Sequence, residues 1–247
     1  MNNYFYNRRT CRMFSNKEVS DNDIKVMLEQ AIHAPTTGNM QLYSVIITRD
    51  AKKKAALAPA HFSQAAYVNA PVVLTFCADF NRFVTWCKAS DANPGYENLQ
   101  SFIAAALDAT ILAQQFVTIA EMNGLGTCYL GTTTYNPDII SEVLCLPELV
   151  VPVITIALGY PSGEQPSSDR ISVDSILHHE TYRKLSEEEV KGVYAEKEAR
   201  EDSKRFVAEN NKSTLAQVFT DVRYPRVNNE HFSRVFAEHL KKKGFLE

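Results

Sequence analysis

The sequence predicts an α+β fold with a central sheet, on three observations. Short β-branched segments are typical of strands, a larger number of segments have apolar residues at helical spacing, and helices rather than tight turns separate the strands. A chain of 247 residues that is 45% hydrophobic and 22% charged is long enough to bury a sizeable core. No repeat or linker divides it, so we expect a single domain over residues 1–247.

The first predicted helix begins at a polar cap and ends before a proline. Ser20 with Asp23 three residues later is a capping-box start, and Pro35 ends the helix. The segments 43–48 and 71–78 are short and β-branched, which predicts two strands. The apolar positions at helical spacing are Ile24, Met27, Leu28, Ala31 and Ile32.

The middle of the chain alternates irregular and helical segments. Residues 80–97 mix tryptophan, asparagine, proline and glycine, which predicts an irregular excursion. A long helix follows over about 99–123, with Gly124 at its carboxyl end. The Asn-Pro pair that opens residues 136–144 predicts a capped helix.

Part of the long helix has the composition of a membrane span. Residues 101–120 are largely apolar over about the length that a bilayer requires. Asp108, Gln114 and Gln115 lie inside this stretch, and a charge there is costly in lipid. We therefore expect a helix buried in protein and no membrane span.

The carboxyl-terminal third begins with an apolar strand and continues with polar helices. Residues 151–158 are continuously apolar, which predicts a strand buried on both faces. A polar loop reaches Arg170, and Ser186 with Glu189 is a second capping box. The last helix has one apolar stripe, formed by Phe232, Val235, Phe236, His239 and Leu240.

Charge and cysteine content exclude several classes of protein. With 26 basic and 29 acidic side chains, the chain has no overall attraction for nucleic acid or an anionic membrane. Five cysteines without a C-x-x-C pair predict reduced thiols in a cytoplasmic protein, and residues 1–11 lack the apolar core of a signal peptide. His178, His179 and Glu180 are adjacent and lack metal-ligand spacing, so we expect no metal.

Two segments carry polar groups suited to a ligand. In an extended segment Arg8, Thr10 and Arg12 project to one side and form a compact site for phosphate or sulfate. The alternative is three surface arginines in a disordered tail. The loop 34–41 combines two hydroxyls, two amides and a glycine, which can line a polar heterocycle or form an ordinary turn.

A third candidate segment, residues 124–131, is rich in glycine. It lacks the dinucleotide fingerprint because Tyr129 stands where the third glycine is needed, and Thr132 replaces the lysine of a phosphate-binding P-loop. Its glycines let the backbone approach a planar ligand closely, or they form a tight connection in left-handed conformations.

Together, RRTCRMF, APTTGNMQ and GLGTCYLG followed by NPDIISEVLCLPELVVPVITIALGYP resemble the nitroreductase family of FMN-dependent oxidoreductases. Within that family the chain looks closest to the NADPH-dependent major oxygen-insensitive nitroreductase and NADPH-flavin oxidoreductase group. The resemblance implies a nitroreductase-like fold, with a central, mostly antiparallel mixed sheet flanked by helices, in an intertwined homodimer with the long helix at its core. It also implies that a carboxyl-terminal helical extension, about 186–247, wraps the core or the partner.

The binding residues implied by the resemblance fall in the same segments. The arginine-rich motif holds the FMN phosphate and the N1/O2 edge of the ring, and the P-[ST]-[ST]-x-N-x-Q loop packs the flavin across the dimer interface. The strand end lies along the isoalloxazine near N5. The implied FMN-binding residues are Arg8, Arg9, Thr10, Arg12, Pro35, Thr36, Thr37, Asn39, Gln41, Tyr129, Leu130, Gly131 and Arg170.

This sequence departs from the pattern of the group at three positions. Ser168 replaces a usual lysine two residues before Arg170, and Thr132 replaces a usual second glycine. Pro59 falls where a glutamine ligand is expected, which leaves that ligand without a clear counterpart, and His61 is a candidate for the neighbouring ligand position. We therefore expect a phosphate site that is intact but rearranged.

The resemblance implies electron transfer from NAD(P)H, with NADPH favoured, to nitroaromatics, quinones or free flavin by a ping-pong hydride mechanism. The flavin carries out this chemistry, so no protein residue is named as catalytic. Arg234 matches a segment that binds the NADPH 2′-phosphate in relatives, and the alternative is an exposed helix arginine. Other interpretations are a flavin-binding module or sensor without redox turnover, and a family relative with different flavin chemistry.

Overall fold

The structure is a computed structural model that describes residues 3–247. Its chain forms two compact units. The first contains the residues up to Pro166 together with Phe232–Glu247, and the second contains Ser167–His231. The α-helices are α1 Tyr4–Asn7, α2 Asp21–Ala31, α3 Ala51–Leu57, α4 Ala65–Val68, α5 Asn81–Ala89, α6 Leu99–Met122, α7 Pro137–Val143, α8 Glu187–Ala199, α9 Glu201–Glu209, α10 Leu215–Val218 and α11 Arg226–Lys242.

The first unit is built on a four-stranded sheet. Its strands are β1 Tyr43–Thr48, β2 Val72–Asp79, β3 Gly126–Leu130 and β4 Val150–Gly159, in the order β1-β2-β4-β3. The predicted α+β, mostly antiparallel architecture is confirmed, and all three pairings among these strands are antiparallel. Every residue of β2 is buried, because β2 lies in the interior of the sheet and is covered on both faces.

The cap predicted for the first helix is present. The Ser20 hydroxyl accepts a hydrogen bond from the Asp23 amide at 3.0 Å, so α2 begins at Asp21. Ile24, Met27 and Ala31 are buried on the side of the helix that faces the core. The predicted periodicity therefore marked the packing face of α2.

Helix α6 packs one face on the sheet and leaves another exposed. Its buried side chains form a cluster with β2 and β4, and Gly124, with φ of +80°, ends the helix as predicted. The Leu125 amide donates to the Ala120 carbonyl and the Gly124 amide to the Glu121 carbonyl, which satisfies the terminal carbonyls. The prediction that this helix is buried nearly all round is wrong for the single chain. The exposed stripe consists of Leu99, Ile103, Leu107 and Ile111.

By length and composition alone, α6 is the one helix in residues 3–247 that could cross a membrane. It contains Asp108, which is buried and hydrogen-bonded within the protein. Its packing against the sheet matches a core helix rather than a membrane span.

Residues 80–97 were predicted to be irregular, and this is wrong for their first half. Helix α5 occupies Asn81–Ala89, with Val84 buried and Phe80 stacked on Tyr96 at a centroid distance of 4.8 Å. The asparagine, proline and glycine that suggested a loop all follow the helix. The asparagine, proline and glycine therefore do indicate an irregular segment, but the prediction extended it back over α5.

The second unit is mostly helical. The predicted capping box is confirmed: Ser186 accepts from the Glu189 amide, and the Glu189 carboxylate accepts from the Ser186 amide. At the other end of α8, the Glu198 carboxylate accepts from the amides of Leu215 and Ala216, which begin α10. The half-buried Glu198 carboxylate thus joins α8 to α10.

The amino-terminal segment is fastened to the edge of the sheet. The Cys11 amide donates to the Thr127 carbonyl at 2.9 Å, and the Ser15 amide donates to the Tyr160 carbonyl at 2.8 Å. Gly126 makes this approach possible, because a Cβ there would lie 2.5 Å from both Cβ and Sγ of Cys11. The alternative of a disordered arginine-bearing tail is therefore wrong.

We predict that Gly126→Ala lowers the free energy of unfolding by about 1–3 kcal/mol, since the added methyl forces the segment around Cys11 off the sheet. Urea denaturation measures the change. Gly95→Ala is the matched control, because a Cβ there meets nothing within 4 Å, and its effect should stay within about 0.5 kcal/mol. Equal stability of the two variants would contradict the assigned contact.

Candidate functional site

The first predicted cation, Arg8, is neutralised within the protein. Its Nη2 donates to Oε1 of Glu121 at 3.1 Å, while Nε lies 3.0 Å from Oε2 without the alignment of a hydrogen bond. The Tyr4 hydroxyl also donates to Glu121 at 2.6 Å, and the Thr127 hydroxyl bonds the same carboxylate. Much of the charge of Arg8 is thus compensated before any anion arrives.

Arg9 and Arg12 are the more available cations of the motif. Among residues 3–247 the Arg9 guanidinium donates to the Arg8 carbonyl, at 3.1 Å, and forms no ion pair, while Arg12 is exposed with its amide bonded to Gln165. Burial raises the pKa of the Cys128 thiol, and the charges of Arg12 and Arg8 oppose that rise. The guanidiniums of Arg12 and Arg8 therefore lie close enough to β3 to affect the Cys128 thiol electrostatically. Arg8 and Arg9 also line a cavity of about 260 Å³ beside Gly126.

The loop predicted to line a heterocycle is held by a buried acid. Both the amide and the hydroxyl of Thr37 donate to Oδ1 of Asp108, at 2.9 and 2.8 Å, and Asp108 is 2% exposed. The Thr37 hydroxyl therefore donates its hydrogen to Asp108 and cannot donate it to a ligand at the same time. Sequence reasoning treated Asp108 only as an argument against a membrane span, although a carboxylate inside an apolar helix always needs a polar partner.

The amides of the same loop face solvent. Asn39 and Gln41 are exposed, and their backbones have φ of +56° and +55°, in the left-handed region that costs energy outside glycine. The Gln41 amide group donates to the Asn39 side-chain oxygen at 3.4 Å, and Arg82 bonds the Gln41 carbonyl. This positioning role of Arg82, on α5, was not predicted, because residues 80–97 were expected to be irregular.

At the end of β3 the predicted residues differ in exposure. Leu130 is buried, and the half-buried Tyr129 donates from its hydroxyl to Gln114 at 3.3 Å; burial raises the pKa of Tyr129 to about 12. Gly131 is exposed, and a Cβ there would meet nothing within 4 Å. The backbone at Gly131 is therefore open to close approach by a flat ligand.

Thr132, which departs from the pattern of the group, and His61, the ligand candidate near Pro59, form a pair. The Thr132 hydroxyl lies 3.0 Å from Nδ1 of His61, and both side chains are buried. The ring of His61 stacks on Tyr67 at 4.7 Å, and burial lowers the pKa of His61 to about 4. His61 is thus a neutral, internal side chain, and its role as a ring ligand stays a prediction.

The last two predicted cations lie farther along the chain. Arg170 belongs to the second unit, is exposed, and donates to the Asp169 carbonyl at 2.7 Å. Arg234 is exposed on α11 and forms no ion pair within residues 3–247. Within the same residues, no group of three or more metal-binding side chains is present.

Comparison with known proteins assigns the fold and its family. The model of the Nitroreductase family matches residues 6–160. The chain belongs to this family. The resemblance inferred from RRTCRMF, APTTGNMQ and GLGTCYLG is confirmed.

Three relatives show how much of the chain this nitroreductase-family similarity covers. A putative oxidoreductase from Bacteroides fragilis shares 48% identity and a TM-score of 0.97, over 99% of this chain and 100% of that structure. The FMN reductase [NAD(P)H] of Bacillus subtilis is 28% identical over 96% of this chain and 94% of its own length. The oxygen-insensitive NADPH nitroreductase of Salmonella typhimurium is 28% identical over 72% of this chain and 73% of its own length.

We predict that Thr132→Val costs about 1–3 kcal/mol of unfolding free energy, because it keeps the shape of the side chain but leaves Nδ1 of buried His61 without its partner. Thermal or urea denaturation at neutral pH measures the loss. Thr134→Val, in the same 3₁₀ turn (Gly131–Thr134), is the control and should change stability by no more than about 0.5 kcal/mol. A neutral Thr132→Val would show that the pair adds nothing to stability.

Proposed function

We propose that this nitroreductase-family protein is an FMN-dependent oxidoreductase that takes electrons from NAD(P)H and delivers them to nitroaromatics, quinones or free flavin. One observation carries the proposal. A segment that carries the half-buried Arg9 and the exposed Arg12 is fastened along β3, and that strand ends in an open backbone at Gly131. The names of the relatives, an FMN reductase and an NADPH nitroreductase, support the same cofactor and electron donor.

The residues present fit FMN. Arg9 and Arg12 supply guanidinium groups that suit a phosphate, and Gly131 lets a planar ring lie against the backbone. Asn39 and Gln41 offer exposed amides for the polar edge of a heterocycle. Because Arg8 is paired with Glu121, the phosphate charge falls mainly on the other two arginines of the motif, with Arg170 added on the resemblance alone.

The protein contributes binding and electrostatics rather than acid–base chemistry. When bound, FMN would supply the redox chemistry, which is hydride transfer from the reduced nicotinamide to the flavin and from the flavin to the second substrate. His61 is neutral near pH 7 because burial lowers its pKa to about 4, and Tyr129, neutral there as any tyrosine is, has its pKa raised further to about 12. A single open ring face would serve donor and acceptor in turn, which gives ping-pong kinetics.

A homodimer completes the proposal. The exposed stripe on α6 repeats every four residues and is wholly apolar, which suits an obligate interface with a second copy of the chain. The loop that contains Asn39 and Gln41 is tied to the same helix through Asp108, so it would lie close to that interface. We propose that its amides reach the ring across the interface, in a cytoplasmic enzyme.

Anaerobic reduction distinguishes an enzyme from a flavin carrier. Protein reconstituted with FMN is mixed with NADPH without oxygen, and we expect the visible flavin absorbance to be lost and to return when benzoquinone is added. A carrier or sensor without turnover would keep its absorbance. A purified protein that binds no flavin would overturn the proposal altogether.

For the choice of nucleotide, we predict that Arg234→Ala raises the KM for NADPH several-fold and leaves the KM for NADH nearly unchanged. The reason is the loss of one charge-assisted hydrogen bond to the 2′-phosphate, about 1.5–3 kcal/mol at most and less at an exposed position. Steady-state kinetics with both nucleotides measure the effect. Lys241→Ala removes another exposed cation of α11 as a control; equal changes for both nucleotides would place 2′-phosphate recognition elsewhere.

A further inference from the structure

Three aromatic rings from separate parts of the first unit meet at one place. Tyr135 and Phe232 are stacked, with ring centroids 4.4 Å apart and an interplanar angle of 6°. Phe62 stands edge-on to both, at 6.3 Å from Tyr135 and 5.9 Å from Phe232. We call these three residues the aromatic cluster. They lie 73 and 97 positions apart along the chain, so only the fold brings them together.

Two hydrogen bonds hold the loop that carries Phe62 against the turn that carries Tyr135. Besides the His61–Thr132 hydrogen bond, the Asn136 side chain donates to the Ala60 carbonyl at 3.0 Å. These bonds join the residues just before Phe62 to the residues on either side of Tyr135. The relative position of the two rings is therefore set by the backbone beneath them and not by ring stacking alone.

The protein holds Phe62 outward at an energetic cost. Phe62 and Ser63 have φ of +50° and +48°, and the Phe62 side chain is 52% exposed. Non-glycine residues in left-handed conformations persist only where the surrounding structure determines them, and they concentrate at functional sites. An exposed aromatic ring held in this way is suited to contact a ligand.

The cluster also borders the open backbone at the end of β3. Gly131–Thr134 form a 3₁₀ turn, and the Tyr135 amide donates back to the Thr132 carbonyl at 3.0 Å. With a rise of about 2 Å per residue, Tyr135 lies about 8 Å along the turn from Gly131. That distance is comparable to the length of a fused two-ring molecule, so one ligand can reach both.

We propose that the aromatic cluster contacts the ring of the electron acceptor and selects planar aromatic acceptors over non-aromatic ones. The inference rests on the proposed function, since it concerns the second substrate of the same site. Nitroaromatic and quinone rings are poor in electrons, and the faces of tyrosine and phenylalanine rings carry negative quadrupole charge. Offset or edge-to-face contact between them is therefore favourable.

Equilibrium dialysis of 1,4-naphthoquinone against the oxidised, FMN-loaded protein, without any nucleotide, tests the contact directly. We expect Phe62→Ala to raise the Kd about two- to tenfold, the range of one aromatic pair, and Phe62→Tyr to restore it. Phe62→Leu keeps apolar bulk without a π face and should behave like the alanine variant. Trp86→Ala, which removes an exposed ring on α5, is the control and should bind as the wild type does.

Turnover adds a second readout that separates this inference from the proposed function. At saturating NADPH, Phe62→Ala should lower kcat/KM for naphthoquinone by the same factor and leave it unchanged for ferricyanide, an acceptor without a ring. Parallel losses with both acceptors, or an unchanged Kd in the alanine variant, would overturn the inference. The predicted order of Kd values without turnover by any acceptor would support the contact and overturn the proposed function.

Discussion

The close approach of the amino-terminal segment to strand β3 is the contact on which the site depends. Because residue 126 has no side chain, Cys11 lies against the strand and its amide bonds the Thr127 carbonyl. This places Arg9 and Arg12 at the strand whose far end exposes Gly131. Without that approach the arginines would be ordinary surface charges, worth little in isolation. The fold thus brings Arg9 and Arg12 together at the edge of the sheet, where we propose an anion site.

The same anchoring explains why one arginine of the motif is not available to a ligand. Glu121 lies at the carboxyl end of α6, where a negative charge interacts unfavourably with the helix dipole and costs stability. Arg8, Tyr4 and Thr127 all bond its carboxylate, which offsets that cost and joins the amino-terminal helix to the core. Arg8 is therefore first a structural residue, and the charge that faces solvent comes from its neighbours.

Sequence patterns predicted local structure better than they predicted pairings. The caps at Ser20 and Ser186, and the glycine that ends α6, follow from chemistry within a few residues, and each is present. The pairs Arg8–Glu121 and His61–Thr132 join residues 113 and 71 positions apart, and the sequence around each residue does not indicate its partner. Family resemblance supplied the candidate segments of the site, but it did not show which of their side chains bond to other parts of the protein.

The exposed stripe of α6 shows a different limit. An all-round apolar helix has the same composition whether its second face meets its own chain or a partner chain, so composition predicted burial without predicting its source. Likewise, α5 was missed because the glycine and proline beyond its end dominated the pattern of residues 80–97. In both cases the pattern identified a real feature but overstated its extent: part of α6 is exposed, and part of residues 80–97 is helical.

The affinities for FMN and riboflavin test most directly whether the arginines along β3 bind a phosphate, because the two flavins differ only in that group. The apoprotein is titrated with each flavin in the same buffer at low ionic strength. Two charge-assisted bonds of about 1.5–3 kcal/mol each predict that FMN binds at least about a hundredfold more tightly. Equal dissociation constants for the two flavins would contradict the claim.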